Sequence, residues 1–477
     1  MRHLLHSCDV IYTCDAQDRV LRDGWLLVED GRVAALGEGA PPAGDFDTEE
    51  DMSGLIAMPG FVNLHHHYFQ TLTRAVPGAL RGHLLDWLTR MYPVWAGITP
   101  DDMAVATRAS IAQLALTGAT SSVDHAYLLP PVEGDHIAAE IDASRDMGFR
   151  TYVFCGALTQ LEGDLEIRLA AMLGPNAGGL LLGLEEADRH VRDAITAHQD
   201  TSEGALIKVG IGPTTTTFET PGHMRAMADL ARELDTGLHV HFHPRPDERA
   251  NCAGIGTTPL DFLQDCGWLG PRTLLAHSTR LSPEEMRRCA DAGVGIAHCA
   301  RMILRLGARV TPVHEMLEAG LRLGIGVDGG ASNDSGSMLG ELRLAYLLHR
   351  VAGGEGAVPW ESWLSPYRLL TLATRDSADC LGWSKIGRLA TGCRADLTAF
   401  RLSGVAYAGA PRDPLATLLL TGDNDRAALT MTDGRVLVRD GALLDQDEAA
   451  LQHATDAATN RLIERAQRIS GIDYDRF

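Results

Sequence analysis

The sequence of 477 residues lacks the patterns that mark several classes of protein. Its nine cysteines are an odd number and form no CxxC pair, which argues against a disulfide framework and against a thiolate zinc site. The first residues, MRHLLHSCDVIYTCD, contain no long apolar stretch, so we expect no signal peptide. No apolar run reaches the length of a membrane span, and no repeat period or low-complexity segment occurs. These absences predict a cytoplasmic protein without a membrane partner.

Positive charge is also in deficit, since the formal net charge is -21 and the acidic residues are spread along the chain. Such a surface repels nucleic acids and anionic membranes, so neither is an expected partner. Hydrophobic residues make up 45% and charged residues 22%, as in ordinary globular proteins. The length fits one large barrel with an accessory domain better than a single small core.

Both ends of the sequence predict short strands. Apolar residues flank Asp30-Gly31, and the same DGRV turn returns at Asp433–Val436, which is a hairpin signal. The segment Arg394–Phe400 is a further strand candidate. We therefore expect one small composite β-sandwich domain, formed by residues 1–57 and 385–446. Residues 447–477 are expected to hold a C-terminal helix, because Glu448–Ile469 is rich in Ala, Leu and Arg and lacks Gly and Pro.

The middle of the chain, residues 58–384, alternates short apolar runs with longer helical patterns such as Pro221–Leu234 and Pro283–Ala292. Eight strand–helix alternations predict a parallel (β/α)₈ TIM barrel and an α/β fold class. The eight strand candidates are Ala57–His67, Ala119–His125, Arg150–Gly156, Ile207–Pro213, Gly237–Pro244, Arg272–His277, Gly293–Cys299 and Arg322–Gly329.

Histidine and aspartate stand at the ends of several of these strands, where barrels of this type carry their reactive groups. His65 and His67 share one face of the first strand, so both imidazoles can bind one metal ion. His241 and Asp328 can complete the site from other strands, a set that suits zinc, with iron as an alternative. Such a metal lowers the pKa of a bound water to about 7, and Asp328 can accept the proton. One HxH alone is weak support; the coincidence at four strand ends carries the prediction.

Several segments resemble signatures of the amidohydrolase superfamily, and the likeness covers nearly the whole chain. The resemblance implies His65, His67, His241 and Asp328 as ligands of one divalent metal. It also implies a catalytic role for His277 beside the activated water, and a homodimer or larger homo-oligomer. The segments that carry the likeness are Met58–His67, Leu274–His277, Gly326–Ser335 and Gly392–Leu397.

Within the superfamily, the chain is similar to the branch of triazine hydrolases and heterocycle deaminases. The similarity lies in Asn63–Gln70, Leu85–Leu88 and Val123–His125. It implies a small heterocyclic substrate, a purine, pyrimidine or triazine. Gln70, Trp87 and His125 are the substrate contacts that it suggests, although Trp87 can equally be a core residue.

The fifth strand departs from the pattern of these deaminases. They carry a glutamate three residues after the ligand histidine to transfer protons, and this chain has Pro244 there. We expect His243 to take over part of that role, because an imidazole transfers protons near neutral pH. His243 can instead only line the pocket, and Asp247 and Glu248 are further candidates.

Arg301 is a second departure, since it stands where relatives have a Pro- or Ser-rich stretch. Its planar fork suits a carbonyl-bearing or anionic substrate edge, but it can equally be a surface residue at a helix start. Three functions follow from the whole sequence. Hydrolytic deamination by a metal-activated hydroxide is favoured; displacement of chloride, a thioether or an activated amide needs less acid assistance; and a metal-binding homologue without turnover is the remaining alternative.

Overall fold

The protein is described by a computed structural model over residues 1–161, 163–173, 179–242, 248–410, 412–421 and 426–476. Within these residues the strands form one sheet of nine and one of eight. The strands are β1 (Arg2–Tyr12), β2 (Val20–Glu29), β3 (Arg32–Glu38), β4 (Thr48–Asp51), β5 (Leu55–Pro59), β6 (Phe61–Asn63), β7 (Ala119–Ala126), β8 (Arg150–Cys155), β9 (Ile207–Ile211), β10 (Leu238–Phe242), β11 (Thr273–His277), β12 (Gly295–His298), β13 (Arg322–Ile325), β14 (Leu397–Arg401), β15 (Leu429–Thr432), β16 (Arg435–Arg439) and β17 (Ala442–Leu443).

The helices lie mostly between the strands of the eight-stranded sheet. Several begin at a Ser or Thr that accepts a hydrogen bond from the first turn, as Thr99 and Ser282 do in full capping boxes. No helix in the described ranges is long and apolar enough to span a membrane. The helices are α1 (Leu84–Trp95), α2 (Pro100–Leu116), α3 (His136–Met147), α4 (Gly163–Leu173), α5 (Leu184–His198), α6 (Pro221–Glu233), α7 (Glu248–Gly254), α8 (Pro259–Asp265), α9 (Pro283–Ala292), α10 (Ala300–Arg305), α11 (Val313–Glu318), α12 (Gly330–Asn333), α13 (Met338–Leu348), α14 (Pro366–Ala373), α15 (Arg375–Cys380), α16 (Pro414–Leu420) and α17 (Glu448–Ser470).

The nine-stranded sheet is built from both ends of the chain, as predicted. Its strand order is β17-β16-β15-β14-β5-β1-β2-β3, with β4 beside β1. Asp30-Gly31 and Asp433-Gly434 form the two-residue turns of two hairpins, with φ of +48° and +75° in the first and +54° and +78° in the second. These left-handed conformations favour Asp and Gly, which explains the repeated DG signal.

The eight-stranded sheet is the parallel barrel, with the strands in sequence order from β6 to β13. Hydrogen bonds from Leu64 N to Ile325 O and from Asp328 N to His65 O, each 2.9 Å, join its first and last strands. The confirmed fold is therefore a (β/α)₈ barrel with a composite β domain. Apolar side chains between the strands and the surrounding helices form the largest core cluster.

The first predicted strand is divided between the two sheets. Leu55–Pro59 pairs with β14 in the nine-stranded sheet, and only Phe61–Asn63 belongs to the barrel. Gly60 stands at the division, where a Cβ would lie 2.1 Å from the Thr120 side chain. The extended prediction Ala57–His67 was wrong in this respect, because a continuous apolar run does not reveal a change of sheet.

Helix α17 begins and ends close to the predicted residues and packs against α1 and α2. Thr459 Oγ1 donates to the Leu72 carbonyl at 2.8 Å, and the Arg461 guanidinium pairs with buried Asp102. Beyond the helix, Tyr474 is buried and its hydroxyl donates to the Arg90 carbonyl at 2.7 Å. The C-terminal segment thereby holds the 3-10 helix Tyr68–Thr73, which follows the first barrel strand.

Candidate functional site

The four predicted metal ligands converge at the carboxyl ends of the barrel strands. His67 Nε2 lies 3.1 Å from His241 Nε2 and 3.3 Å from Asp328 Oδ1. His65 Nε2 lies 3.6 Å from the same Asp328 oxygen, and His277 Nε2 lies 3.7 Å from Asp328 Oδ2. Side chains at or just after the ends of β6, β10, β11 and β13 thus meet within a few ångströms, although many residues separate them in the sequence.

Hydrogen bonds fix which nitrogens of His67 and His241 face this point. Nδ1 of His67 donates to the carbonyl of His125 at 2.8 Å, and Nδ1 of His241 donates to the carbonyl of Thr214. A carbonyl only accepts, so in each neutral ring the proton is on Nδ1 and a lone pair is on Nε2. Two lone pairs 3.1 Å apart repel each other, and a cation between them would turn this repulsion into two bonds.

A relay of two imidazoles gives His65 the same orientation. Nδ1 of His239 donates to the carbonyl of Leu274 at 2.8 Å, which leaves Nε2 of His239 to accept from Nδ1 of His65, also at 2.8 Å. Nε2 of His65 therefore carries a lone pair, and it is buried without a hydrogen-bond partner among the described residues. Burial lowers the pKa of His65 well below its ordinary value and that of His239 to about 3, so both rings are neutral.

Asp328 supplies the negative charge of the site. Burial acts to raise its pKa, but the neighbouring His67, His277 and His241 outweigh burial and lower the pKa of the carboxyl below its ordinary value. A buried carboxylate needs a neighbouring cation for charge balance. Three imidazole nitrogens and one carboxylate oxygen are a donor set that fits zinc. The residues therefore fit a divalent metal ion.

His277 lies beside this donor set and faces the cavity above it. Burial lowers its pKa to about 4, so the ring is neutral, and its Nδ1 has no hydrogen-bond partner among the described residues. His277 and Asp328 have φ of +70° and +67°, a backbone conformation that side chains other than Gly, Asn and Asp rarely adopt. The conformation is uncommon for His277, and uncommon backbone conformations cluster at functional sites.

A cavity of about 190 Å³ opens above the histidines. Its floor contains His67, His241, His277 and Asp328, and its size suits a small ring and excludes a folded macromolecule. The described side chains around it are mainly apolar and aromatic, with a few polar groups at defined positions. The aromatic wall is formed by Trp87, Tyr92, Tyr127 and Phe218, and the polar groups include Gln70, Thr214, Thr215, Thr279, Arg280 and Ser332.

Two of the predicted substrate contacts line this cavity. Gln70 is buried on the 3-10 helix after β6, and its Oε1 lies close to Gly329, where an added Cβ would be 1.9 Å away. Trp87 lines the cavity and also packs edge-to-face on Trp95, with ring centroids 5.3 Å apart. Trp87 therefore has the position expected of a ring contact and, at the same time, the packing expected of a core residue.

The structure places the other two predicted contacts away from the cavity wall. Nε2 of His125 lies 3.0 Å from the carbonyls of Gly212 and Pro213, and its ring centroid lies 4.7 Å from that of His241. Arg301 begins α10, and its backbone amide donates to the Glu341 carboxylate at 2.9 Å. Neither residue is part of the described cavity lining, because the His125 ring, near the end of β7, and the Arg301 amide, at the start of α10, have partners within the protein.

His243, Pro244 and Asp247 lie outside the described residues, so the structure gives no position for the expected proton-transfer group. Glu248 is described; it is buried at the start of α7 and accepts a hydrogen bond from the Thr216 hydroxyl. Sequence reasoning did not select Arg280, which lines the cavity. Its position three residues after His277, in the loop that follows a barrel strand, was a usable signal.

The sequence profile of the Amidohydrolase family matches residues 56–437 of the chain. An 8-oxoguanine deaminase from Pseudomonas aeruginosa is 37% identical over 460 residues, which cover 95% of this chain and 97% of that protein. A hydroxydechloroatrazine ethylaminohydrolase from Pseudomonas sp. is 31% identical over 467 residues, which cover 95% of this chain and 94% of the relative.

Solved structures agree with the sequence relatives. A triazine hydrolase from Arthrobacter aurescens superposes with a TM-score of 0.89 at 32% identity, covering 96% of this chain and 99% of that one. A variant atrazine chlorohydrolase from the same species, complexed with zinc and atraton, gives a TM-score of 0.88 at 31% identity and covers 96% and 100%. The chain belongs to the amidohydrolase family.

Proposed function

We propose that this protein hydrolytically removes an amino group from a nitrogen heterocycle. One observation carries the proposal: the inward-facing lone pairs of three imidazoles converge on a carboxylate at the base of a small cavity with an aromatic wall. Relatives that match nearly the full chain are named as deaminases of 8-oxoguanine and of isoxanthopterin, both planar heterocycles. The flat rings of Trp87, Tyr127 and Phe218 suit a planar substrate.

His65, His67, His241 and Asp328 are the proposed ligands of one zinc ion, with iron as the alternative. When bound, such an ion supplies Lewis acidity, which makes water nucleophilic at neutral pH. Asp328 lies on the cavity floor beside the other proposed ligands, and in this proposal it accepts the proton that the attacking water loses. His277 faces the cavity as a neutral ring and is placed to hydrogen-bond the group that leaves or the carbonyl that forms.

Proton delivery to the departing amine requires a further group, because Pro244 replaces the usual glutamate. We propose His243 for this role. In the sequence it follows β10 by one residue, and it stands two residues after His241, the proposed ligand that β10 carries. Glu248 supports the alternative of a carboxylate from the same connection, since it is buried close to Thr216.

Hydrolytic displacement of a better leaving group is the second candidate. The solved structures of triazine hydrolases superpose on the chain with TM-scores up to 0.89, which favours this candidate. Loss of the proton-donating glutamate points the same way, because chloride leaves without being protonated. The higher sequence identity of the 8-oxoguanine deaminase and the carboxylate at Asp328 favour deamination.

A leaving-group panel separates these candidates. The zinc-loaded protein would be incubated with aminopurines, aminopyrimidines, amino- and chlorotriazines, and ammonia and chloride release would be followed. We expect ammonia release that is lost in His277→Ala and retained in His453→Ala, a matched histidine exposed on α17. Chloride release without ammonia release from any amine would support displacement. Binding without any product would overturn both reactions and support a binding protein.

We also propose three further properties of the protein. All nine cysteines are buried, with no disulfide in the described part of the chain, which fits a reducing compartment such as the cytoplasm. A homodimer or higher homo-oligomer is the expected assembly, which light scattering during gel filtration would test. The proposed domains are 1–57 with 385–446, 58–384, and the C-terminal segment 447–477; the passage of the chain from β5 in one sheet to β6 in the other supports a boundary near Pro59.

A further inference from the structure

Arg280 contributes a cationic side chain to the cavity wall. It lies three residues after His277, and it is the only Arg or Lys among the described residues that line the cavity. Its Nε is buried without a hydrogen-bond partner, and no carboxylate in the described part of the chain forms an ion pair with its guanidinium. A guanidinium in such surroundings gains most from an oxygen acceptor that enters the cavity.

The backbone of Arg280 is held firmly in place. Its carbonyl accepts a hydrogen bond of 2.9 Å from Arg249 Nη2, and that guanidinium also pairs with Glu285 at 2.7 Å. Before it, His277 and Ser278 both have a positive φ, +70° and +48°, which turns the chain sharply at the end of β11. The loop is therefore fixed at both ends, and the side chain is presented to the cavity by a rigid support.

Another arginine close to the cavity shows the contrast. Arg305 Nε donates to Asp334 at 2.7 Å, and its Nη atoms donate to the carbonyls of Ala79 and Leu80. These hydrogen bonds occupy the guanidinium of Arg305 with partners inside the protein. Arg280 has the same fork and a place in the cavity wall, but its Nε has no such bond among the described residues.

We propose that Arg280 determines specificity by binding a carbonyl or enolate oxygen on the substrate ring. This inference rests on the proposed function at the same site and names the substrate class: oxygen-bearing heterocycles, in preference to rings that carry only amino and alkyl groups. The planar fork donates two parallel N–H bonds to an oxygen edge, which an ammonium group cannot do with the same geometry.

Equilibrium binding tests the inference without relying on turnover. The probes are urate, an anionic purine with carbonyl oxygens and no amino group, and unsubstituted purine, which has no oxygen. Arg280→Gln removes the charge and the fork, and Arg280→Lys retains the charge alone. Arg287→Gln is the matched control, because Arg287 is exposed on the next helix, α9. All four zinc-loaded proteins would be titrated by calorimetry.

We expect Arg280→Gln to weaken urate binding by about tenfold or more, with purine binding changed by less than about twofold. Arg280→Lys should recover only part of the loss, and Arg287→Gln should match the wild type. Equal effects on both probes, or none on urate, would overturn the inference. Failure of the proposed function is distinguishable: the wild type would then release no ammonia from any heterocycle, whatever the dependence of urate binding on Arg280.

Discussion

Nδ1 of His65 lies 2.8 Å from Nε2 of His239, and this contact decides which nitrogen of His65 faces the proposed metal ion. The Leu274 carbonyl sets the positions of the ring protons. It can only accept a hydrogen bond, so the proton of His239 is on Nδ1. A histidine outside the described cavity lining thereby orients a proposed ligand from β10, a strand that is not adjacent to β6 in the barrel.

Replacing His239 should therefore weaken metal binding. We expect His239→Ala to lower zinc affinity by about tenfold to a hundredfold, as is usual when the partner of a ligand histidine is removed. The measurement is competition with a chelator of known affinity, with folding checked by circular dichroism. His453→Ala, on an exposed face of α17, is the control. Unchanged affinity in a folded His239→Ala protein would show that the relay has no influence on the site.

A buried ion pair joins the barrel to the composite sheet and predicts a large stability effect. Arg150 Nε donates to Asp396 Oδ2 at 3.0 Å, and both side chains are at most 1% exposed. Asp396→Ala would leave the buried Arg150 charge with only the more distant Asp433 carboxylate, 3.9 Å away, which should lower the free energy of unfolding by about 3–5 kcal/mol. Denaturant unfolding measures this change.

The control for that substitution is Asp445→Ala. Asp445 pairs with Arg435 at 2.8 Å, but the two side chains are 60% and 45% exposed. Solvent screens such a pair, so its loss should cost less than about 1 kcal/mol. Equal losses of stability in both variants would show that burial does not increase the contribution of the Arg150–Asp396 pair to the free energy of unfolding.

The sequence predicted the barrel well because its strands are buried on both faces and leave apolar runs between helical patterns. The convergence of His65, His67, His241 and Asp328 was also predictable, since parallel strands bring their carboxyl ends to one rim. The relay through His239 was not, because a hydrogen bond between two strands depends on ring orientation. The placements of His125 and Arg301 outside the cavity depend on backbone carbonyls and on Glu341, which strand-end position does not reveal.

The buried histidine His223 makes the stability of the protein depend on pH. His223 lies between Glu219 and Asp188, with Nε2 at 2.8 Å from Asp188 Oδ1. Burial alone would lower the pKa of His223, but its hydrogen bonds to the two carboxylates raise the pKa above 6.5. A raised folded pKa stabilises the protein below the unfolded value, and this stabilisation is lost as pH rises through the folded pKa.

The stability difference between the wild type and His223→Gln should therefore be larger near about pH 6 than near about pH 9. Lower pH is avoided because burial also raises the pKa of Glu219, and protonation of that carboxyl would weaken the pair. Urea unfolding at several pH values measures the difference. His453→Gln serves as the control for loss of an exposed histidine. A difference that grows with pH would contradict the assigned ion pair.

His243→Ala tests the proposed replacement of the absent glutamate. If His243 delivers the proton to the leaving amine, its loss should lower kcat for amine substrates by about a hundredfold or more, with zinc content unchanged. Substrates with a chloride leaving group should be affected less, because chloride leaves without a proton. Metal content and turnover would be measured on the same preparation. Near-normal ammonia release would assign His243 to the pocket lining alone.

Metal content measured together with turnover tests the central claim most directly. Elemental analysis of the purified protein, of a chelator-treated sample and of His65→Ala would be combined with heterocycle hydrolysis assays. We expect close to one divalent ion per active chain, loss of turnover on chelation and its return on adding zinc. His65→Ala should lose most of its metal and its activity. An active preparation without a bound cation, or full turnover in His65→Ala, would contradict the account.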